Sequence, residues 1–460
     1  MTTFRAKFTL NLAILLLACS WLACQPTGSL EQDGGSPDSG PPAAVRVSVD
    51  RITYVNSTGD VFTIKADGSD RRQLTGGAQV SSGPTGPFLA QGIDFNSFYA
   101  WPTWSPDGAR LAVSRVRTSG GQDAEVTIQL LDPVTVRSRT VYDSDFPGLV
   151  ADGSPHYLYW SPDSKNLSFL AATPNGLALF VTDTGTGKPH IGVARGAPLY
   201  YSWSGDGNSL AVHIGEEIKL FRELSDQISG EVLATARGFR VPAFSPDGQW
   251  LAYVDQTESG GALFIVQVDD PDHPTRLTSV GAFSAFMWSP TGEELAVADQ
   301  LTANPMAFER LRVVSASSGQ ERTVTEEPLL AFYWSPDGRR IAWVGLEREQ
   351  QTFEWKVSSI VPGIVPGIVP GAIGESRSLF SFYPSREVFT MLSYFDQYAY
   401  SHSPWSPDSS HLVVAGTERM PFERRNGHTP TGARVFVLDA ESGTPPQDIS
   451  EGTLAFWSWN

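Results

Sequence analysis

Asp107, Asp163, Asp206, Asp247, Asp337 and Asp408 are the carboxylates that first invite a chemical reading, since Asp serves as acid, base and metal ligand. Each sits in the same local setting, a Ser-Pro-Asp-Gly-like tetrad after an aromatic residue. A carboxylate recurring once per copy of one turn points to turn chemistry, where its oxygens accept nearby amides. The seven histidines (156, 190, 213, 273, 402, 411 and 428) are scattered, with no H-E-x-x-H or other paired spacing to hold a metal. No G-x-S-x-G elbow offers a nucleophilic serine. The only cysteines, Cys19 and Cys24, lie near the N-terminus, so the body has no thiol nucleophile and no Cys-based zinc site. No catalytic set, metal or cofactor is expected.

One stretch departs from this regularity: Arg386-Glu-Val-Phe389…Tyr394-Phe-Asp-Gln-Tyr398-Ala-Tyr-Ser-His402-Ser-Pro-Trp405. It is dense in aromatic and polar side chains. Asp396, Gln397, Tyr398 and His402 are expected at or just before an innermost strand, near a channel mouth, as a ligand or partner face. The competing expectation is a packed cap satisfied by its own hydrogen bonds. His156 and His402 both precede a motif tryptophan and are candidates to point into the channel. Arg240 is a further isolated candidate. The longer loops 76–97 and 142–155 are expected to help shape the same face.

The elements that position these residues follow from one repeat. The motif appears as Trp104-Ser-Pro-Asp-Gly108, Trp160-Ser-Pro-Asp-Ser164, Trp203-Ser-Gly-Asp-Gly207, Phe244-Ser-Pro-Asp-Gly248, Trp288-Ser-Pro-Thr-Gly292, Trp334-Ser-Pro-Asp-Gly338 and Trp405-Ser-Pro-Asp-Ser409, with a last partial copy at Trp457-Ser458. Most intervals are 41 to 56 residues, and the one from Trp334 to Trp405 is 71. Such a period suits one four-stranded propeller blade per copy. Pro presets φ, Asp or Ser bonds back to amides, and Gly takes the left-handed φ that closes the turn. Three residues after each turn comes Leu111, Leu167, Leu210, Leu251, Leu295, Ile341 or Leu412, then usually Ala, then a strand former. That fixed offset predicts a hairpin with its register set by the turn. Further strands are expected at Val126–Asp132, Leu177–Asp183, Ala262–Asp270 and Val435–Ala440, with an outer strand such as Thr275–Thr278.

Residues 51–75 read as a unit lacking its first strand, and Leu454–Trp459 reads as that strand. The fold predicted is therefore all-β: a single propeller of about eight four-stranded blades spanning 47–460, its two ends sharing one blade so that no edge is left open. Residues 348–400 carry an inserted loop with three Ile-Val-Pro-Gly tetrads from Ile360 to Gly371, expected as a surface loop.

The W-S-P-D-G, L-A-x, I/L-x-V-x-D, L-T series resembles the WD-like repeat of TolB-type and dipeptidyl-peptidase-type propellers. The resemblance covers nearly everything from about residue 47 onward. It implies a propeller, and on the TolB side periplasmic protein partners such as a peptidoglycan-associated lipoprotein. TolB-type proteins place an α/β domain before six blades; this chain places a tether before about eight units.

That tether completes the organisation. Arg5 and Lys7 precede an apolar run, as in a secretory signal over 1–24. Leu16-Leu-Ala-Cys19 and Trp21-Leu-Ala-Cys24 both resemble a bacterial lipobox. Cys24 is the preferred lipidation site because polar linker follows it directly, and Cys19 is the alternative. Residues 25–46 are Gly, Ser, Pro and Asp with hardly an apolar side chain, expected as a disordered tether. No later stretch reaches ~18 apolar residues, so membrane attachment is expected through the N-terminal lipid only. The net charge of −17 argues against nucleic acid and anionic lipid surfaces. The expected function is a non-catalytic, envelope-tethered scaffold for a protein partner, exported to the periplasmic side of the outer membrane or the cell surface. The alternatives are a glycan-binding or glycan-cleaving channel, and a regulatory propeller of peptidase lineage without its hydrolase domain.

Overall fold

The computed structural model describes residues 50–459 apart from internal stretches, the longest being 81–94, 144–156, 361–372 and 420–431. The signal and tether, both cysteines, His156, most of the two long loops and nearly all of the Ile-Val-Pro-Gly tetrads lie outside the described residues.

Almost every described element is an antiparallel strand, and the strands follow the repeat. Each motif aromatic ends an inner strand, except Trp405, which makes only an isolated bridge to Leu412; the Leu-Ala-x run forms the next strand, and two more lead outward. In the third unit, for example, Leu158–Trp160, Asn166–Thr173, Gly176–Asp183 and Ile191–Arg195 pair in chain order. The aromatic and the Leu at fixed offset face each other in register, as in Trp160↔Leu167, Trp203↔Leu210 and Trp288↔Leu295.

The motif does two jobs at once. Within the turn, the Ser hydroxyl donates to the Asp carboxylate at 2.5–2.6 Å in six copies. The same carboxylate accepts the amide two residues further on at 2.9–3.1 Å. The Ser204 hydroxyl accordingly holds the Asp206 carboxyl below its ordinary range. The repeated aspartates are turn residues. Between units, the indole N–H reaches back to the preceding inner strand: Trp160 to the Thr103 carbonyl (3.0 Å), Trp288 to Ala243 (2.9 Å), Trp334 to Met287 (3.2 Å) and Trp405 to Tyr333 (3.1 Å). Each of these four tryptophans therefore fills the space between two sheets and satisfies its donor there, whereas the buried Trp104 indole N–H has no partner among the described residues.

Two copies end in Ser rather than Gly, and both serines hold a left-handed backbone, with φ of 63° at Ser164 and 65° at Ser409. A non-glycine residue there is strained. The hydroxyls supply a compensation that Gly lacks, accepting the backbone N–H of the preceding motif's Asp107 and Asp337 at 3.0 Å. Ser164→Ala keeps the strain and loses the bond, so it is expected to cost roughly 1–2 kcal/mol in urea unfolding; a neutral result would deny the bridge any weight. Gly205 replaces Pro in the third full motif for a steric reason. The Pro246 carbonyl oxygen stands 2.3 Å from where a Cβ would lie.

The ends of the chain meet as expected. Leu454–Trp457 pairs with Ile52–Val55, in register from Ile52↔Trp457 to Val55↔Leu454, and forms the innermost strand of the first unit. The last two units depart from separate four-stranded sheets. Arg377–Pro384 also pairs with His411–Glu418, joining both units into one seven-stranded sheet. Gly416 permits this, because a Cβ there would come within 2.7 Å of the Phe382 ring and the Tyr383 carbonyl.

Candidate functional site

The irregular stretch is not a loop. Arg386–Ser393 is a helix whose first turn is capped by Ser385, the hydroxyl accepting the Val388 N–H at 3.1 Å. Val388, Met391 and Leu392 form its buried face. A one-turn helix, Phe395–Tyr398, follows. A serine cap with apolar residues at 388, 391, 392 and 395 is a helical signal, obscured by the period-2 patterns on either side.

These helices carry the chain across the centre of the propeller. Phe395 wedges against Phe308, Phe332 and Tyr333, with ring centroids 4.9–6.3 Å apart. Tyr398 stacks on Trp101 at 4.7 Å and meets Tyr157 edge-on at 5.4 Å. The Tyr157 hydroxyl donates to the Gln397 carbonyl at 2.7 Å. These contacts join strands from opposite parts of the ring through one segment. Trp101 holds a left-handed φ of 54° at a register shift in its strand, which places its ring against Tyr398.

His402 is locked inside this plug. The Thr103 hydroxyl reaches the Trp101 carbonyl at 2.9 Å and shares a hydrogen bond with His402 Nε2 at 3.0 Å. Nδ1 shares one with the Ser401 hydroxyl at 2.7 Å, and that hydroxyl also reaches the Tyr398 carbonyl at 3.2 Å. The ring packs against Phe456 at 4.4 Å. Burial pushes its pKa down to about 3, so the imidazole is neutral in the folded protein.

Of the residues singled out from sequence, Gln397, Tyr398 and His402 are therefore interior and do not form a ligand face. They are packed because the aromatic segment fills the channel rather than rimming it. Asp396 alone on the one-turn helix remains half-buried, accepting the Gln397 N–H at 3.1 Å. Burial pushes its carboxyl up, and the charge of Arg240 opposes this. Arg240, also half-buried, donates to the Ala282 carbonyl at 2.8 Å and lies over the Phe283 ring at 4.6 Å. Desolvation draws its guanidinium pKa down, with Asp396 acting the other way. Tyr200, raised chiefly by burial and then by Asp396, belongs to the same neighbourhood.

Beside this rim, a cavity of about 380 Å³ is lined by Ser279, Gly281, Ala282, Gln300, Leu301 and Arg310. Two large apolar side chains stand exposed near it, Phe283 (44%) and Leu301 (61%). Behind it the buried Asp299 accepts Arg310 at 2.7 and 3.0 Å and Arg312 at 3.3 Å, and Arg312 also pairs with Glu321 at 2.6 Å. Charges that pair so fully inside a protein set geometry and are not available to a ligand. Among the described residues no group of three His, Cys, Asp or Glu is placed to hold a metal, and no helix is long and apolar enough to cross a membrane.

Radial four-stranded sheets joined edge to centre, with a strand supplied by each chain end, define a β-propeller. No known family and no curated protein matches this chain. Among solved structures, it is similar to the dihydro-heme d1 dehydrogenase NirN in complex with DHE, at 13% identity over 92% of this chain and 78% of that one, with a TM-score of 0.51. It also aligns with TolB from Acinetobacter baumannii (15% identity, 75% and 81% coverage, TM-score 0.35). A third is oligogalacturonate lyase from Vibrio parahaemolyticus (13%, 88% and 85%, TM-score 0.41). At these identities the likeness is one of fold.

Proposed function

We propose that this chain is a non-catalytic binding propeller of the cell envelope, exported and held there by an N-terminal lipid on Cys24, which docks a protein partner on the rim around Phe283. The observation that carries this is the plug. Phe395, Tyr398 and His402 occupy the centre, so a partner meets the rim instead of entering a channel. On that rim, exposed Phe283 and Leu301 flank a cavity beside Arg240 and Asp396, an apolar patch with a charged border of the kind protein interfaces use. Propellers serve many roles, so the partner is sought at the surface and not inferred from the fold.

Cross-linking in intact envelope followed by detergent extraction tests the docking face. One stoichiometric protein is expected with the wild type and is expected to fall at least about tenfold with Phe283→Asp, as for a hot-spot aromatic. Equal capture by both would reject this face. Labelling with a fatty acid tests the anchor; the label is expected to vanish in Cys24→Ser and persist in Cys19→Ser.

A further inference from the structure

A second cavity, of about 270 Å³, opens at the other end of the plug, on the face that carries the motif turns. Thr103, Trp104, Tyr159, Trp160 and Ser401 are its buried walls, Tyr400 is half-buried, and Pro106, Pro162 and Trp459 form the partly open rim. The aromatic rings therefore come from two neighbouring units, from the plug and from the last strand's extension.

Three properties of this lining restrict what fits. No lining residue is charged, so an ionic ligand would be desolvated without a partner. Flat rings dominate, which favours a ligand with an apolar face. Two polar groups of the buried walls are left over: the Trp104 indole N–H, which has no partner among the described residues, and the hydroxyl of Tyr159, a residue 8% exposed, to which no described residue hydrogen-bonds. The other hydroxyls are committed, Thr103 and Ser401 to the two nitrogens of His402. A purely apolar ligand would bury the Tyr159 hydroxyl unsatisfied, at a cost of ~1–3 kcal/mol. The occupant thus has an apolar face, hydroxyl or ether oxygens, no charge, and the size of one ring, since the volume lies just under the ~300 Å³ at which drug-sized pockets begin.

We propose that this cavity binds a single uncharged pyranose residue, its C–H face on Trp459 and Tyr400 and one oxygen on the Tyr159 hydroxyl. The sugar arrives free or as the end of a glycan, and the site is independent of the protein-docking rim.

Ligand-observed NMR with D-glucose, D-galactose, N-acetyl-D-glucosamine, D-glucuronate and acetyl-Pro-Pro-amide tests this, with a chitin or galactan oligomer distinguishing a glycan end from a free sugar. At least one neutral sugar is expected to bind saturably, with glucuronate weaker. Tyr159→Phe is expected to weaken binding roughly two- to tenfold, the worth of one hydrogen bond. Trp459→Ala, a change at the rim that spares the inner strands, is expected to weaken it by more than about tenfold. Phe283→Asp is expected to leave sugar binding unchanged, and Tyr159→Phe to leave partner capture unchanged, so this site and the docking rim fail separately. Absence of saturable sugar binding, indifference to both cavity variants, or preference for glucuronate or the proline peptide would each overturn the proposal.

Discussion

Deletion of the last seven residues, from Leu454 on, is expected to lower the melting temperature by more than about 10 °C and to make the transition less cooperative. The deleted strand buries Leu454, Phe456 and Trp457 almost completely. Losing side chains of that size from a core costs about 3–5 kcal/mol each. The sum rivals the ~5–15 kcal/mol that holds a typical domain together. The deletion also exposes the edge of Ile52–Val55, which then has a partner on one side only. It further removes Phe456 from the His402 ring, so the plug loosens with the seam. Phe456→Ala provides the graded version, expected at about 3–5 kcal/mol by denaturant unfolding. An unchanged melt on deletion would mean that the ring does not depend on its closure.

Acid is expected to destabilise the protein through His402. The folded state takes up the proton only near pH 3, while the unfolded chain takes it up near 6.5. The contribution of the neutral ring is therefore complete above pH 6.5 and is lost as the pH falls from 6.5 towards 3. At about 1.4 kcal/mol per pH unit, this one group removes on the order of 3 kcal/mol by pH 4. His402→Gln keeps a donor and an acceptor at the same reach and cannot titrate. It is expected to be less stable than the wild type at pH 7 and to close most of that gap by pH 4. Parallel pH profiles for the two proteins would show that His402 takes up its proton within the fold at an ordinary pKa.

These two predictions differ in how far the sequence alone could reach them. The seam was legible, because residues 51–75 lack an inner strand and Leu454–Trp457 is one; counting strands was enough. The motif turns were legible for the same reason, each Ser-Pro-Asp-Gly being a local device whose geometry depends on four residues. The plug was not. Phe395 and Tyr398 acquire their meaning from Phe332, Trp101 and Tyr157, which lie far away in sequence and meet only when the ring closes. A dense aromatic and polar segment looks alike whether it lines a mouth or fills it. The seven-stranded sheet was hidden for a different reason, since it rests on one absent side chain, at Gly416. The Tyr159 cavity was invisible because it joins motif residues, whose regularity had explained them as structural, to the plug and the chain's end, which meet them only in the closed ring.

The shared first sheet has a mechanical consequence for the N-terminal anchoring proposed above. A pull on the residues before Asp50 enters the molecule along the axis of Ile52–Val55, which is flanked on one side by Val61–Ile64 and on the other by Leu454–Trp457. Hydrogen bonds between antiparallel strands lie across that axis, so the load is carried in shear by both ladders at once and not by one bond after another. Asp50 and Arg51 are also stapled to the far end of the chain, through the Trp457 indole at 2.7 Å and the Ser458 hydroxyl at 3.1 Å. The N-terminal end of the described fold, which in most domains frays, is here paired on both sides and bonded to the far end of the chain.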